Sequence, residues 1–235
     1  MPLAYQESAV NSLLAALPRN EYQQLLTRLE PIALTFGDVL YHPDEPILHV
    51  YFPTSSLISL LTLTEGHQAL GVSMVGHEGM LGIPLALGAS VSPVCAQVQV
   101  SGMAWRMTSA QFHEEFQQNA LLQHKVYLYT HELIVQLAQA AACNHFHTIE
   151  TRLARWLLMT RDRVQSDQLH LTQDLLGQML GVRRVGVTQA AGALRKRKLI
   201  SYSRGKISIL DGRGLEAAAC QCYQIIKGIH DVTRV

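Results

Sequence analysis

Residues 171–210 read LTQDLLGQMLGVRRVGVTQAAGALRKRKLISYSRGKISIL, and this stretch decides the fold. Thr172 offers a hydroxyl N-cap, and Leu175, Leu176, Met179 and Leu180 then repeat along one helix face. Gly181 supplies the backbone freedom that a helix end requires. A second helix is expected from about Arg183, with Val187, Ala190, Ala191 and Leu194 on its buried side. Its opposite side carries Val185, Gln189, Gly192 and Lys196, flanked by Arg184 and Thr188. Ile200 and Tyr202 alternate on one strand and Ile207 and Ile209 on another, with Arg204-Gly205 as the turn between them. Two short helices joined by a tight turn and followed by a hairpin form a module suited to reading duplex DNA.

Charge agrees with this reading. From Arg183 to Lys206 there are eight Lys/Arg and no Asp or Glu. Residues 167–235 hold eleven basic against five acidic side chains, whereas residues 1–166 hold eight against thirteen, a split hidden in the chain's net +1. The run Arg195-Lys196-Arg197-Lys198 also suits a helix C-terminus on dipole grounds alone. Its agreement with the helical pattern and the hairpin points to a surface that neutralises backbone phosphates.

At 235 residues the chain has room for two domains, and 48% hydrophobic with 16% charged residues marks it as globular. It has no run of the roughly 20 apolar residues a membrane span requires. The first residues show no basic stretch before an apolar run, so a cytoplasmic protein without membrane partners is expected. Four scattered cysteines, Cys95, Cys143, Cys220 and Cys222, do not form a disulfide framework.

Residues 8–29 carry helical apolar patches interrupted at Pro18. From Ile32 to Met107 turn signals punctuate strand-like pieces at 39–41, 49–52, 57–63, 69–74, 94–100 and 103–107, the pattern of an antiparallel sandwich or barrel. Ser109 is expected to cap a short helix around Phe112 and Phe116. A long helix then spans about 120–144, with Leu122, Val126, Tyr129, Leu133, Gln136, Ala140 and Cys143 at heptad spacing. A helix lying on a sheet can show the same spacing. Beside a DNA-reading module it is read as a dimer seam through Leu122, Val126, Tyr129, Leu133 and Ala140, because paired reading helices must sit about 34 Å apart. Thr148 starts the next helix, with Ile149, Leu153, Trp156 and Leu157.

The order of β-roll, long helix and winged helix-turn-helix, together with residues 171–184 and Leu199-Ile200, resembles the CRP/FNR superfamily of bacterial transcription regulators. The resemblance covers nearly the whole chain. It implies an α+β protein with a sensor domain and dimerisation helix over 1–147 and a winged helix-turn-helix over 148–235. It also implies a homodimer that reads a roughly palindromic site, is modulated by a signal at the β-roll, and has RNA polymerase as a further partner. The family's guanine-reading Arg falls on Arg184, a bidentate match for guanine O6 and N7. The family's next Glu is Val185 here and its later Arg is Gln189, residues that suit a thymine methyl and an adenine, so the operator should differ from the common half-site. Thr172, Gln173, Arg183, Thr188 and Lys206 are placed as phosphate contacts, Thr172 doubling as a helix cap.

The family's cyclic-nucleotide members need a Gly-Glu pair followed by Arg-Ser or Arg-Thr. The matching segments here are Gly82-Ile83-Pro84 and Val91-Ser92-Pro93, and the positions that would meet the base are Leu137 and Ala138. Cyclic AMP in that mode is therefore disfavoured; Glu78 could supply a carboxylate from a shifted register, but as an acid in a Gly-rich turn it is read as solvated. An iron–sulfur cluster is disfavoured too, since the first cysteine is Cys95. Haem would need one of His42, His49, His67, His77, His124 or His131, and nothing selects among them. Cys143 and His147 share a helix face at i, i+4, as two metal ligands do, yet no further converging ligand is visible, and packing is preferred. Cys220-Gln221-Cys222 is spaced more tightly than a zinc knuckle and is read as an ordinary or redox-exposed pair. No cofactor or metal is assigned. No nucleophile elbow, phosphate-cradling loop or metalloprotease helix occurs, so no catalytic residue is assigned and a non-enzyme is expected. The alternatives are a ligand-binding or metal-dependent β-roll enzyme and a basic interaction module without sequence readout.

Overall fold

The computed structural model describes residues 10–64, 68–203 and 205–233. In chain order the first elements are α1 (Ser12–Ala15), α2 (Arg19–Leu26), β1 (Glu30–Leu34), β2 (Val39–Tyr41), β3 (His49–Pro53), β4 (Leu57–Thr64) and β5 (Gln68–Val75). Next come α3 (Ile83–Ala86), β6 (Cys95–Val100), β7 (Gly102–Thr108), α4 (Ser109–Gln118), α5 (Ala120–Phe146) and α6 (Ile149–Val164). The chain closes with β8 (Gln168–His170), α7 (Gln173–Leu180), α8 (Arg184–Lys196), β9 (Ile200–Ser203), β10 (Lys206–Ile209), α9 (Gly212–Ala218) and α10 (Cys222–Thr233). These form two compact units: Met1–Ile58 with Val75–Tyr129, and Ser59–Met74 with Thr130–Val235.

Antiparallel pairing builds the sheet that lies wholly in the first unit, as the regular turn signals require. A three-stranded sheet runs β1-β7-β3, with Glu30 opposite Arg106 and His49 opposite Thr108. A second sheet has the order β2-β6-β4-β5, its Ser59–Met74 portion counting with the second unit. Val50, Phe52, Leu57, Ile58, Met80, Ala96, Val98 and Met107 are buried and fill the core. Strand β1 was not foreseen, because Pro31 breaks the strand pattern; it is tolerated on an edge strand, where one row of backbone groups needs no partner. The first helical stretch is two short helices divided at Pro18, and residues 8 and 9 lie outside the described residues, as do Glu65, Gly66 and His67.

The cap of α4 is Thr108 rather than Ser109. Thr108 accepts from Gln111 N while the Gln111 side chain accepts from Thr108 N, a closed capping box. Asn119 caps α5, its side-chain oxygen taking Leu122 N at 2.8 Å. Leu122, Val126 and Tyr129 are buried inside this chain, and a Cβ on Gly79 would fall 2.0 Å from the Tyr129 ring. The stripe read as a dimer seam is therefore partly spent on the chain's own core, while Leu133 and Ala140 are half-buried. A 3–4 spacing marks a buried helix face and does not say what buries it. Gln136 sits in that stripe because it is satisfied there, accepting from Arg163 Nη2 at 3.0 Å and donating to Ser73 Oγ at 2.6 Å.

Helix α6 is the hub of the second unit. Thr148 caps it, Gln165 ends it in a left-handed conformation, and ten of its 16 residues are buried. Strands β8, β10 and β9 form a sheet within this unit, β8 being a strand the sequence pattern does not announce. Leu157→Ala, at a fully buried position of α6, should cost about 2–5 kcal/mol of stability. Leu48→Ala, at a residue that is 67% exposed, should stay within about 0.5 kcal/mol, both read from urea midpoints at constant slope.

Candidate nucleic-acid interface

Local chemistry fixes the turn between α7 and α8. Thr172 Oγ1 accepts from Leu175 N at 3.2 Å and opens α7. At the other end Gly181 adopts φ +61°, Gly181 N donates to Gln178 O and Val182 N donates to Gly177 O, a Schellman closure. A Cβ on Gly177 would lie 2.9 Å from Val182 O, so this closure needs glycine there. From α6 the buried Arg152 donates through Nη2 to Leu180 O, satisfying a carbonyl that the helix end leaves orphaned.

Helix α8 turns Val187, Ala190, Ala191 and Leu194 inward. Gly186 permits this approach, since a Cβ there would already sit 3.1 Å from Ile149 Cδ1. Arg183, Arg184, Val185, Thr188, Gln189, Arg195 and Lys196 are exposed on the other side. No side chain caps α8; Gly186 N donates to Arg183 O, and the Arg184 and Val185 amides are the ones a helix start leaves for an acceptor. Gln173, the first residue of α7, reaches across: its Oε1 accepts from Arg184 Nε at 3.0 Å and from Thr188 Oγ1 at 3.1 Å. Arg184 is thereby oriented through Nε, and its two terminal nitrogens have no hydrogen-bond partner among the described residues. Thr172, Gln173, Arg184, Thr188, Arg195 and Tyr202 line a concavity of about 440 Å³.

The hairpin stands beside this face. Lys206 pairs with Ser203 and Ile209 with Ile200, Gly205 takes φ +76°, and Gly205 O accepts from Leu171 N at 2.7 Å. Lys206 is exposed; Arg204, expected in the same turn, lies outside the described residues. Of the basic run, Arg197 is held by Glu150 at 3.1 Å. Arg195, Lys196 and Lys198 form no ion pair with the described residues.

Residues 151–218 match the family described as the Crp-like helix-turn-helix domain. The chain is a DNA-binding transcription regulator. The regulator's fold is that of CRP/FNR regulators. FixK2 from Bradyrhizobium japonicum is 13% identical, with 82% of this chain and 98% of that one covered at a TM-score of 0.70. A CRP-family transcriptional regulator from Thermus thermophilus is 16% identical, with 81% and 96% covered at 0.66. The c-di-GMP responsive global regulator CLP of Xanthomonas campestris is 13% identical, with 82% and 99% covered at 0.66. No curated protein matches the regulator in sequence. None of its described helices is long and apolar enough to cross a membrane.

In the β-roll, Gly82 has φ +125° and opens the short helix α3, and Ser92 spends its hydroxyl on Val94 O at 2.7 Å. Glu78 is buried and accepts from Gly76 N at 3.1 Å, which corrects its reading as a solvated acid: it braces its own turn. His42, His124 and His131 are exposed, His49 and His77 half-buried, and His67 lies outside the described residues. Sequence reasoning missed one grouping. Cys143 and His147 are joined by Cys220 and Cys222, and Cys220 and Cys222 are buried, so the redox-exposed reading of that pair falls. Their separation by more than seventy residues in the chain gave spacing rules nothing to detect.

Gly181→Ala should cost about 1–2 kcal/mol, because an L side chain must then hold the left-handed conformation. The check is a lowered urea midpoint for loss of helical circular dichroism.

Proposed function

We propose that the regulator acts as a homodimer whose α8 helices enter successive major-groove faces of a roughly palindromic site. The observation that carries this is the exposed face of α8, where Gln173 orients Arg184 beside an uncapped helix start. In this reading Arg184 donates to a guanine edge, Val185 packs on a thymine methyl and Gln189 reads adenine. Thr172, Gln173, Arg183, Thr188 and Lys206 grip phosphates, with Gln173 also setting the Arg184 rotamer. The functional boundary is placed at 147/148, ahead of the Thr148 cap.

The dimer face moves to the other side of α5. Ile134 and Leu137 are 60% and 41% exposed, and Ala138 and Ala141 are exposed with them. These positions repeat at three and four residues, leaving an apolar strip that the described chain does not cover. The β-roll is the place for a signal. A cyclic nucleotide held in the usual mode is not favoured, because carboxylate and guanidinium are both missing from the matching segments. RNA polymerase is the remaining partner, the cytoplasm the place of action, and no enzymatic step is assigned.

Arg184→Ala should weaken binding to the specific site by about 1–3 kcal/mol and relax preference at one base pair, measured by titration against a selected operator and its variants. A uniform loss on every sequence would make Arg184 a phosphate contact instead. Ile134→Asp should convert the dimer to monomers in sedimentation equilibrium; an unchanged mass would remove this face from the dimer.

A further inference from the structure

Where α5 ends, the α9–α10 connection brings four ligating side chains to one point. Cys143 Sγ lies 3.5 Å from Cys220 Sγ, and Cys222 Sγ lies 3.4 Å from His147 Nδ1. All four ligating atoms fall within 4.8 Å of one another. A tetrahedral zinc ion with Zn–S of about 2.3 Å and Zn–N of about 2.0 Å sets two sulfurs about 3.8 Å apart and a sulfur and a nitrogen about 3.5 Å apart. The Cys222–His147 separation is close to the mixed edge, and the Cys143–Cys220 separation is slightly shorter than a sulfur–sulfur edge. An iron–sulfur cluster shares its four protein ligands among two or four irons, so ligands on different irons would lie farther apart than this set.

We propose that Cys143, His147, Cys220 and Cys222 bind a single divalent thiophilic ion, zinc by ligand type, in a tetrahedral Cys₃His site. Two independent features around the cluster support it. Gln139 Nε2 donates to Cys222 Sγ at 3.0 Å, the outer hydrogen bond expected of a metal-bound thiolate. Arg152 and Arg155 are buried and paired with no carboxylate among the described residues, although both interact electrostatically with Cys143. Zinc with three thiolates carries one net negative charge, which is what these guanidiniums lack. On binding, three thiol protons leave to solvent and His147 coordinates as the neutral imidazole. His147 is the exposed member and gives the ion its way in.

The site ties the end of α5 to the start of α10, and it stands whether or not the DNA-reading assignment does. Full-length protein, purified anaerobically with reductant and without chelator, should contain one zinc per chain by elemental mass spectrometry. Replacing zinc with Co²⁺ should give thiolate-to-cobalt charge-transfer absorption and the intense visible bands of a tetrahedral centre. His147→Ala, at an exposed position, should fold normally and lower zinc affinity at least tenfold in competition with a chromophoric chelator. Cys222→Ser should abolish stoichiometric zinc, and Cys95→Ser should retain it. Metal-free protein that gives no cobalt charge-transfer band would overturn the proposal. So would acid-labile sulfide, a Cys143–Cys220 disulfide under these reducing conditions, or unchanged zinc affinity in both His147→Ala and Cys222→Ser.

Discussion

A buried guanidinium holds the turn on which DNA reading depends. Arg152 projects from the most buried helix of its unit and donates to the last carbonyl of α7, while the glycines at 177 and 181 let the chain reverse. Desolvating an arginine is costly unless its hydrogen bonds are met, and an orphaned helix-end carbonyl is costly too. This bond satisfies the carbonyl and ties the end of α7 to α6, while Arg152 Nε stays buried without a hydrogen-bond partner among the described residues. The lack of a side chain at Gly186 leaves room for Ile149 of α6, and burial of Val187, Ala190, Ala191 and Leu194 sets the outward face of α8.

Most of this was legible because the signals were local. Thr172, Gly181 and the Val187–Leu194 stripe each act within one helix turn of themselves, so capping and periodicity rules reach them. The hairpin was legible for the same reason. Strand β1 escaped because Pro31 is a penalty whose cost depends on whether the strand lies at an edge, a fact of topology and not of sequence. The heptad stripe of α5 escaped differently. Leu122 and Val126 carry the right spacing, but spacing is silent on whether a second copy or the same chain fills the space opposite. Charge on the outer face gave no help, since Ile134 and Leu137 are as apolar as the inner residues.

The cysteines show the same limit. Cys143 and His147 form a helical pair that sequence can propose, whereas Cys220 and Cys222 arrive from another element. Convergence of that kind is a property of the folded chain. In the β-roll the reverse held: the missing carboxylate and guanidinium were readable directly, and the buried Ser92 and Glu78 each hydrogen-bond within their own turns.

The double role of the Gln173 oxygen carries a consequence for how this protein can be re-targeted. Arg184 and Thr188 lean on one acceptor in a neighbouring helix, so under the proposed function base recognition is not a property of α8 alone. Exchanging the residue at 184 for one that prefers another base strands that oxygen or redirects the threonine. Descendants that drift to new operators are thus expected to change positions 173, 184 and 188 as a coordinated set, and a swap of the reading helix by itself transplants only part of the specificity.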